Sequence, residues 1–365
     1  MDLAWAAKNG RKNMEQLEQT VSDLGEIRLL QEVILPDVSA NQSSHNDDCA
    51  LLQVPQGTLL WSMDPCPTPV ADWFGKASPE VWGCYTAAIN LSDIAASGGR
   101  PIGMLVSMEM PDDTAVSFVR GFQTGLMATL KDAGAKLLGG NVKSAKRFSA
   151  TGTILGAAGD RTVTRKIESS LITAYLVGPS GAFWSSVVAN FFGASGLSAL
   201  TQQYLDNALC FPRPQVEAGI ALGRLPFSIA CMDCSDGPAN AMYQLSQLNK
   251  LDLTLFADPD WSLSEELIMF LYGKGISLEN ACYSFGDWQL ACLVPDEFCV
   301  LFESALSHFS LTKLGRGREG TGHVTVEDGR TLQLSGLNQN FQGGYNSVNK
   351  VEDLIERYLR RPIFG

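Results

Sequence analysis

Strand-like and helix-like segments alternate along most of this chain, and four short polar runs punctuate them: Asn46-Asp47-Asp48, Asn90-Leu91-Ser92-Asp93, Gly139-Gly140-Asn141 and Asp233-Cys234-Ser235-Asp236-Gly237. Carboxylates scattered in sequence but placed at element ends suit a hard cation. Magnesium prefers oxygen ligands and usually sits between one or two carboxylates and the phosphates of a substrate. A fold that uses these runs must bring distant element ends together, and the chemistry they point to is that of ATP and Mg2+.

A chain of 365 residues suits two domains of ordinary size, each able to bury its own core. With 45% hydrophobic and 18% charged residues it is globular rather than disordered. A net charge of -12 with no sizeable basic stripe argues against nucleic acid as a partner. The short basic stretches, Arg161 to Lys166 and Lys313 to Arg318, read as solvated faces. The N-terminal residues lack a basic region followed by an apolar core, and no apolar run reaches membrane-spanning length, so no membrane partner and a cytoplasmic location are expected. Nine cysteines, spread mostly singly, suit reduced thiols better than a disulfide frame. Cys231 and Cys234 form a lone C-x-x-C with no second pair to complete a zinc site, and core filling is their expected role.

Residues 1–27 read as a helical arm, with helical spacing from Met14 to Leu24. Residues 28–160 form a first α/β lobe, 161–330 a second, and 331–365 a C-terminal extension. In the first lobe, Thr58 to Met63 reads as a buried strand ending at Asp64. A helix follows from about Pro79 to Ser97, with proline in its first turn and Gly98-Gly99 past its end. Asn90 and Asp93, three apart, share one face of that helix. Further strands are expected over Gly103 to Met110, Lys136 to Leu138 and Ser149 to Gly156, with a helix over Thr114 to Ala133. The second lobe alternates strands near 171–177, 228–232, 253–256 and 289–294 with helical stretches. Its Met232-Asp233-Cys234-Ser235-Asp236-Gly237 run lies between a strand and a helix, so its groups gather at a helix N-terminus suited to anions.

Taken together, the runs resemble the thiamine-monophosphate kinase branch of the superfamily that also holds aminoimidazole ribonucleotide synthetase, a hydrogenase maturation factor and selenophosphate synthetase. The matching stretches are 46–52, 88–101, 137–141 and 232–237, and 284–290 resembles a worn form of the family's Gly-Glu-Asp-Tyr-Glu-Leu segment. The resemblance implies a two-lobed, PurM-like α+β fold whose first sheet pairs across a homodimer to bury ATP near the interface. It implies that Asp47, Asp48, Asp64, Asp93, Asp233 and Asp236 surround magnesium and phosphates, with Asp233, Ser235 and Asp236 closest to the reaction. Asn46, Asn90, Gly139, Gly140, Asn141 and Lys143 would line the nucleotide path, and Asp287, Trp288 and Tyr345 the small-molecule acceptor. No Walker loop or protein-kinase signature set is present, so positioning and electrostatics would supply the rate by another arrangement.

Several positions depart from the family pattern. The usual opening glycine is Asn46, the aspartate of the third motif is Asn141, and the two glutamates of the fifth segment are Gly286 and Gln289. The aromatic-Asp-His-Phe ending is replaced by Gly344-Tyr345-Asn346-Ser347. Three functions fit: an ATP phosphotransferase acting on thiamine monophosphate or a similarly shaped acceptor, a ligase that activates an amide or carboxyl oxygen, and a non-catalytic nucleotide-binding scaffold.

Overall fold

The structure, a computed structural model, describes residues 19–24, 29–34, 36, 57–338 and 344–365. The Asn46-Asp47-Asp48 run lies outside the described residues, and of the expected arm helix only Val21–Leu24 falls within them, as a helical turn.

Four strands, β1 (Leu59–Pro65), β2 (Gly99–Met110), β3 (Lys136–Ser144) and β4 (Ser149–Ala158), make a first sheet in the order β1-β4-β2-β3. Only β2 and β3 run parallel. β3 does not stop at Leu138 as the glycines suggested. Leu138 is bulged out, Gly139 takes φ 144, and the ladder with β2 resumes through Ser144. Helices α1 (Pro79–Ala96) and α2 (Val116–Asp132) cover one face of this sheet and pack on each other. Among the described residues nothing covers the other face: Leu59, Trp61, Met63 and Leu105 stand exposed on it, Trp61 at 72% and Met63 at 64%, so β1 is a half-exposed strand and not the buried one expected.

The second sheet contains β5 (Leu171–Val177), β6 (Ala230–Asp233), β7 (Leu251–Leu255), β8 (Leu290–Pro295), β9 (Leu311–Glu319) and β10 (Val324–Val326), in the order β10-β7-β9-β5-β8-β6. Every residue of β8 is buried, as expected for a strand covered on both faces and reading as an unbroken apolar run. β9 went unseen in the sequence because Lys313, Arg316 and Arg318 read as a charge run. In the strand their side chains are exposed while Leu314 and Gly317 turn inward. Around the sheet lie α3 (Ala182–Phe192), α4 (Ala199–Cys210), α5 (Val216–Leu222), α6 (Pro238–Asn249), α7 (Glu265–Gly273) and α8 (Leu278–Tyr283).

The lobes are joined by a common core. Leu91, Ile94 and Met104 of the first share one buried cluster with Tyr175, Cys231 and Cys292 of the second. At this junction the backbones approach so closely that a Cβ on Gly223 would lie 2.0 Å from the Gly98 carbonyl oxygen. Only glycine fits there. Residues 344–365 return to the second lobe, where Leu354, Tyr358 and Phe364 are buried and Gly365 exchanges two backbone hydrogen bonds with Thr331. Among the described residues no helix is long and apolar enough to cross a membrane.

Candidate active site

Strand β1 ends where helix α1 passes beneath it, and their side-chain periods mesh. Ser62 and Asp64, two apart on a strand, share a face; Asn90 and Asp93, three apart on a helix, share another. The Asp64 N–H donates to Asn90 Oδ1 at 3.1 Å, and Asn90 Nδ2 donates to the carbonyls of Thr86 at 2.9 Å and Asp64 at 3.3 Å. Asn90, expected on the nucleotide path, is therefore fully buried and committed to holding the Asp64 peptide. Ser62 Oγ in turn donates to Asp93 Oδ2.

The second lobe supplies Asp233, the last residue of β6, whose Oδ2 accepts from Ser92 Oγ of α1 at 3.3 Å. The turn that follows carries Ser235 and Asp236 to the N-terminal end of α6, opened by Gly237 and Pro238. Asp236 Oδ1 accepts from Asn338 Nδ2 at 2.8 Å. Strand β1, helix α1 and strand β6, far apart in sequence, thus set their carboxylates against one another. Burial, then the hydrogen bond and charge of Asp93, then the charge of Asp233, push Asp64 up to about 7. Asp233 rises to about 6, through burial first and Asp93 second, against Ser235, Arg165 and Ser92. Burial also raises Asp236, opposed by Asn338.

Crowded carboxylates that resist ionisation are what a divalent cation would relieve. Among the described residues no three Asp, Glu, His or Cys side chains make a closed ligand set on their own. Magnesium takes few protein ligands and completes its shell with water and phosphate oxygens. The same crowding sets a pH dependence. Between about pH 4, where an unfolded aspartate ionises, and the raised folded values, the folded chain binds more protons than the unfolded one, so stability falls as pH rises. The ligand-free protein is expected to melt at a higher temperature near pH 5 than near pH 8. Magnesium with ADP reverses that order by binding the ionised carboxylates, and a pair of thermal scans checks both signs.

Asp64, Asp93 and Asp233 line two cavities at once. The larger, ≈ 750 Å³, is walled by aromatic and apolar side chains, among them Tyr85, Phe183, Phe285, Trp288 and Tyr345, and also takes in Ser235 and Asp236. The other, ≈ 550 Å³, is lined by Trp61, Ser62, Met63, Ser97, Thr164 and Arg165. Arg165 belongs to the stretch read as a solvated face; its charge acts on Asp233.

Gly139, Gly140 and Asn141 stand elsewhere in the chain's own fold. Asp64, Gly152, Val106 and Gly140 form one register row across the first sheet, three strand spacings or about 14 Å from end to end. The three residues edge a small separate cavity of ≈ 50 Å³ with Ile34, Phe122 and Gln123. Asn141 and Lys143 are exposed on β3, the last strand of the sheet among the described residues.

On the expected acceptor side, Tyr345 stacks on Phe285 with ring centroids 5.2 Å apart, and its hydroxyl donates to the Thr68 carbonyl at 3.1 Å. Trp288 lines the larger cavity, but Asp287 does not. The Asp287 carboxylate accepts the N–H groups of Gly181 at 2.6 Å and Phe183 at 2.8 Å, at the N-terminus of α3. Burial pushes it up to about 7 against those backbone donors. Its place is that of a helix cap. Asp287→Ala should cost about 2 kcal/mol of stability in urea unfolding, with no change in acceptor KM beyond twofold.

Residues 46–158 match the AIR synthase related protein N-terminal domain. A thiamine-monophosphate kinase of Synechococcus elongatus is 24% identical over 325 residues, covering 87% of this chain and 94% of its own. The crystal structure of thiamine-monophosphate kinase from Stenotrophomonas maltophilia K279a superposes with a TM-score of 0.67 at 22% identity, over 78% of this chain and 90% of that one. A complex of AaThiL with AMPPCP and TMP gives a TM-score of 0.65 at 23% identity, over 86% and 97%. At such identities the structural likeness establishes the two-lobed PurM-like α+β architecture.

Proposed function

We propose, for a chain that belongs to the AIR synthase-related superfamily as a thiamine-monophosphate kinase-like member, that it transfers the γ-phosphoryl group of ATP to a small acceptor, thiamine monophosphate or a molecule of its shape. The carrying observation is that two cavities of unlike character meet at one set of carboxylates, Asp64, Asp93 and Asp233. The cavity with Arg165 and Thr164 suits the nucleotide and its phosphates, and the aromatic one suits a flat acceptor. Among the solved structures of this fold is the complex of AaThiL with AMPPCP and TMP, which accords with one pocket for each.

Asp64, Asp93 and Asp233 are the residues that would contribute to holding Mg2+ together with water and the nucleotide's own oxygens, and the ion would supply neutralisation of phosphate charge. The chain's own contribution is to hold the reactants. Asn90 fixes the peptide of Asp64, Ser62 fixes Asp93, and Ser92 ties Asp233 of the second lobe to α1 of the first. The Ser235-Asp236 turn presents the N-terminal end of α6 to anionic oxygen. Asn338 orients the Asp236 carboxylate toward the aromatic cavity, where it can accept a proton or a hydrogen bond from the acceptor.

A second copy of the chain completes the nucleotide side. The face of the first sheet that no described residue covers carries Leu59, Trp61, Met63 and Leu105, and exposed apolar patches rimmed by polar residues mark association sites. Trp61 and Met63 also line the smaller cavity, so pairing of two such faces would wall it off from solvent. Asp47, Asp48 and Asn46 lie outside the described residues, and their part is proposed from the motif alone.

The test is a product analysis. Purified protein with ATP, magnesium and thiamine monophosphate should yield ADP and thiamine diphosphate in equal amounts, with no ADP when the acceptor is left out. Free phosphate released with a new carbon–nitrogen bond would instead identify an amide-activating ligase, and nucleotide binding without turnover a scaffold.

A further inference from the structure

The wall of the larger cavity combines carboxylates with aromatic rings and holds no basic side chain. Among its described residues none is lysine, arginine or histidine, and Gln339-Asn340-Phe341-Gln342-Gly343, which lie outside the described residues, add none. The neutral side-chain donors of the wall are engaged. Tyr85 Oη donates to the Leu209 carbonyl at 2.8 Å, Tyr345 Oη to that of Thr68 at 3.1 Å and Ser347 Oγ to that of Gly344 at 2.7 Å. Cys66 Sγ meets the Pro67 carbonyl at 3.4 Å, and Asn338 Nδ2 donates to Asp236 at 2.8 Å. The Ser235 hydroxyl acts on Asp233, and Trp288 Nε1 is closed to solvent. At Gly286 a Cβ would lie 2.2 Å from Cδ1 of Phe183, so no side chain there can add a polar group. Asp236 lines this cavity and not the smaller one, and the magnesium set of Asp64, Asp93 and Asp233 leaves it free. A ligand therefore meets negative charge and aromatic hydrocarbon.

We propose that this cavity selects its acceptor by positive charge rather than by outline: the acceptor carries a flat cationic ring of the quaternary-nitrogen heteroaromatic class, held by the aromatic wall around Phe285 and Tyr345 with Asp236 as its counter-ion. This rests on the phosphotransferase reading and narrows it. Aromatic rings attract a cation through their quadrupole, more strongly as water is excluded, and carboxylates in a low-dielectric cleft focus a field of the same sense. Phe285 and Tyr345, stacked with centroids 5.2 Å apart, both line the cavity. A neutral ring of the same outline covers the same area and gains neither attraction. With the donors engaged, hydrogen bonds to the ring edge cannot make up the difference.

The test compares two acceptors of one outline: thiamine monophosphate, whose thiazolium is a cation, and its 3-deaza analogue, in which a neutral thiophene replaces that ring. The full chain with ATP and magnesium at pH 8 should show an acceptor KM at least about tenfold lower for the first, the scale of a desolvated cation–π contact, with KM for ATP the same within twofold. Calorimetry with thiamine and 3-deazathiamine, which carry no phosphate, isolates the ring. Thiamine should bind at least about tenfold tighter, and Tyr345→Leu should at least halve that preference. Acceptor KM values within twofold of each other overturn the inference, as does thiamine binding no tighter than 3-deazathiamine or a preference unchanged in Tyr345→Leu. A tenfold preference for thiamine in calorimetry, with no acceptor-dependent ADP from either phosphate, overturns the phosphotransferase reading alone.

Discussion

Asp233→Asn and Asp236→Asn are each expected to lower kcat for acceptor-dependent ATP turnover by at least about 10³-fold, or about 4 kcal/mol of transition-state stabilisation. Asp233 lines both cavities and Asp236 lines the aromatic one. Asparagine preserves size and an acceptor oxygen but removes the charge that a cation and a proton in flight require. Ser92 Oγ and Asn338 Nδ2 keep their acceptors in these variants, so the fold should hold. Asp233→Asn should even raise the melting temperature near pH 8, because the native carboxylate is buried and repelled by Asp93. A catalytic loss together with a stability gain is the signature of a site whose charges are held for function. Activity within threefold of wild type in both variants would remove these carboxylates from the reaction centre.

Trp61→Asp should turn a dimer into a monomer. The wild-type chain is expected to sediment at twice its 39.4 kDa mass, and the variant at that mass. Trp61 is 72% exposed in the single chain, so its replacement costs the monomer little. Buried within a paired sheet face, an unpartnered carboxylate would weaken association by at least about 10³-fold. Because Trp61 also lines the smaller cavity, nucleotide affinity should fall with dimerisation. A dimeric Trp61→Asp variant would place this sheet face outside any interface between copies.

Much of the architecture was legible because the local signals agreed. Pro79 in the first turn of α1 and the glycines past its end bounded that helix to within a residue or two. The strand ending at Asp64 and the strand–turn–helix at Asp233-Gly237 were bounded by turn residues and apolar runs. β9 was not, since alternate lysine and arginine over Lys313 to Arg318 look alike in a solvated loop and in a half-exposed strand. Burial decided between them, and burial depends on what packs opposite.

The roles of individual polar residues divided along the same line. Asn338 carries no local signal at all, yet it orients Asp236 from 102 positions away. Asp287 sits in a stretch resembling a substrate-binding motif, but its oxygens point at Gly181 and Phe183 of a helix more than a hundred residues earlier. Arg165 looked like one charge in a basic run until the second cavity formed around it.

The sequence by itself determined most of the elements, though not β9 or the full length of β3, and the residue types suited to magnesium and phosphate, because helix period, turn chemistry and ligand hardness are local properties. Only the tertiary structure decided that Asp64, Asp93 and Asp233 meet between two cavities while Gly139, Gly140 and Asn141 stand across the sheet from them. Through-space repulsion, burial and hydrogen-bond partnership arise between residues that the chain itself keeps far apart.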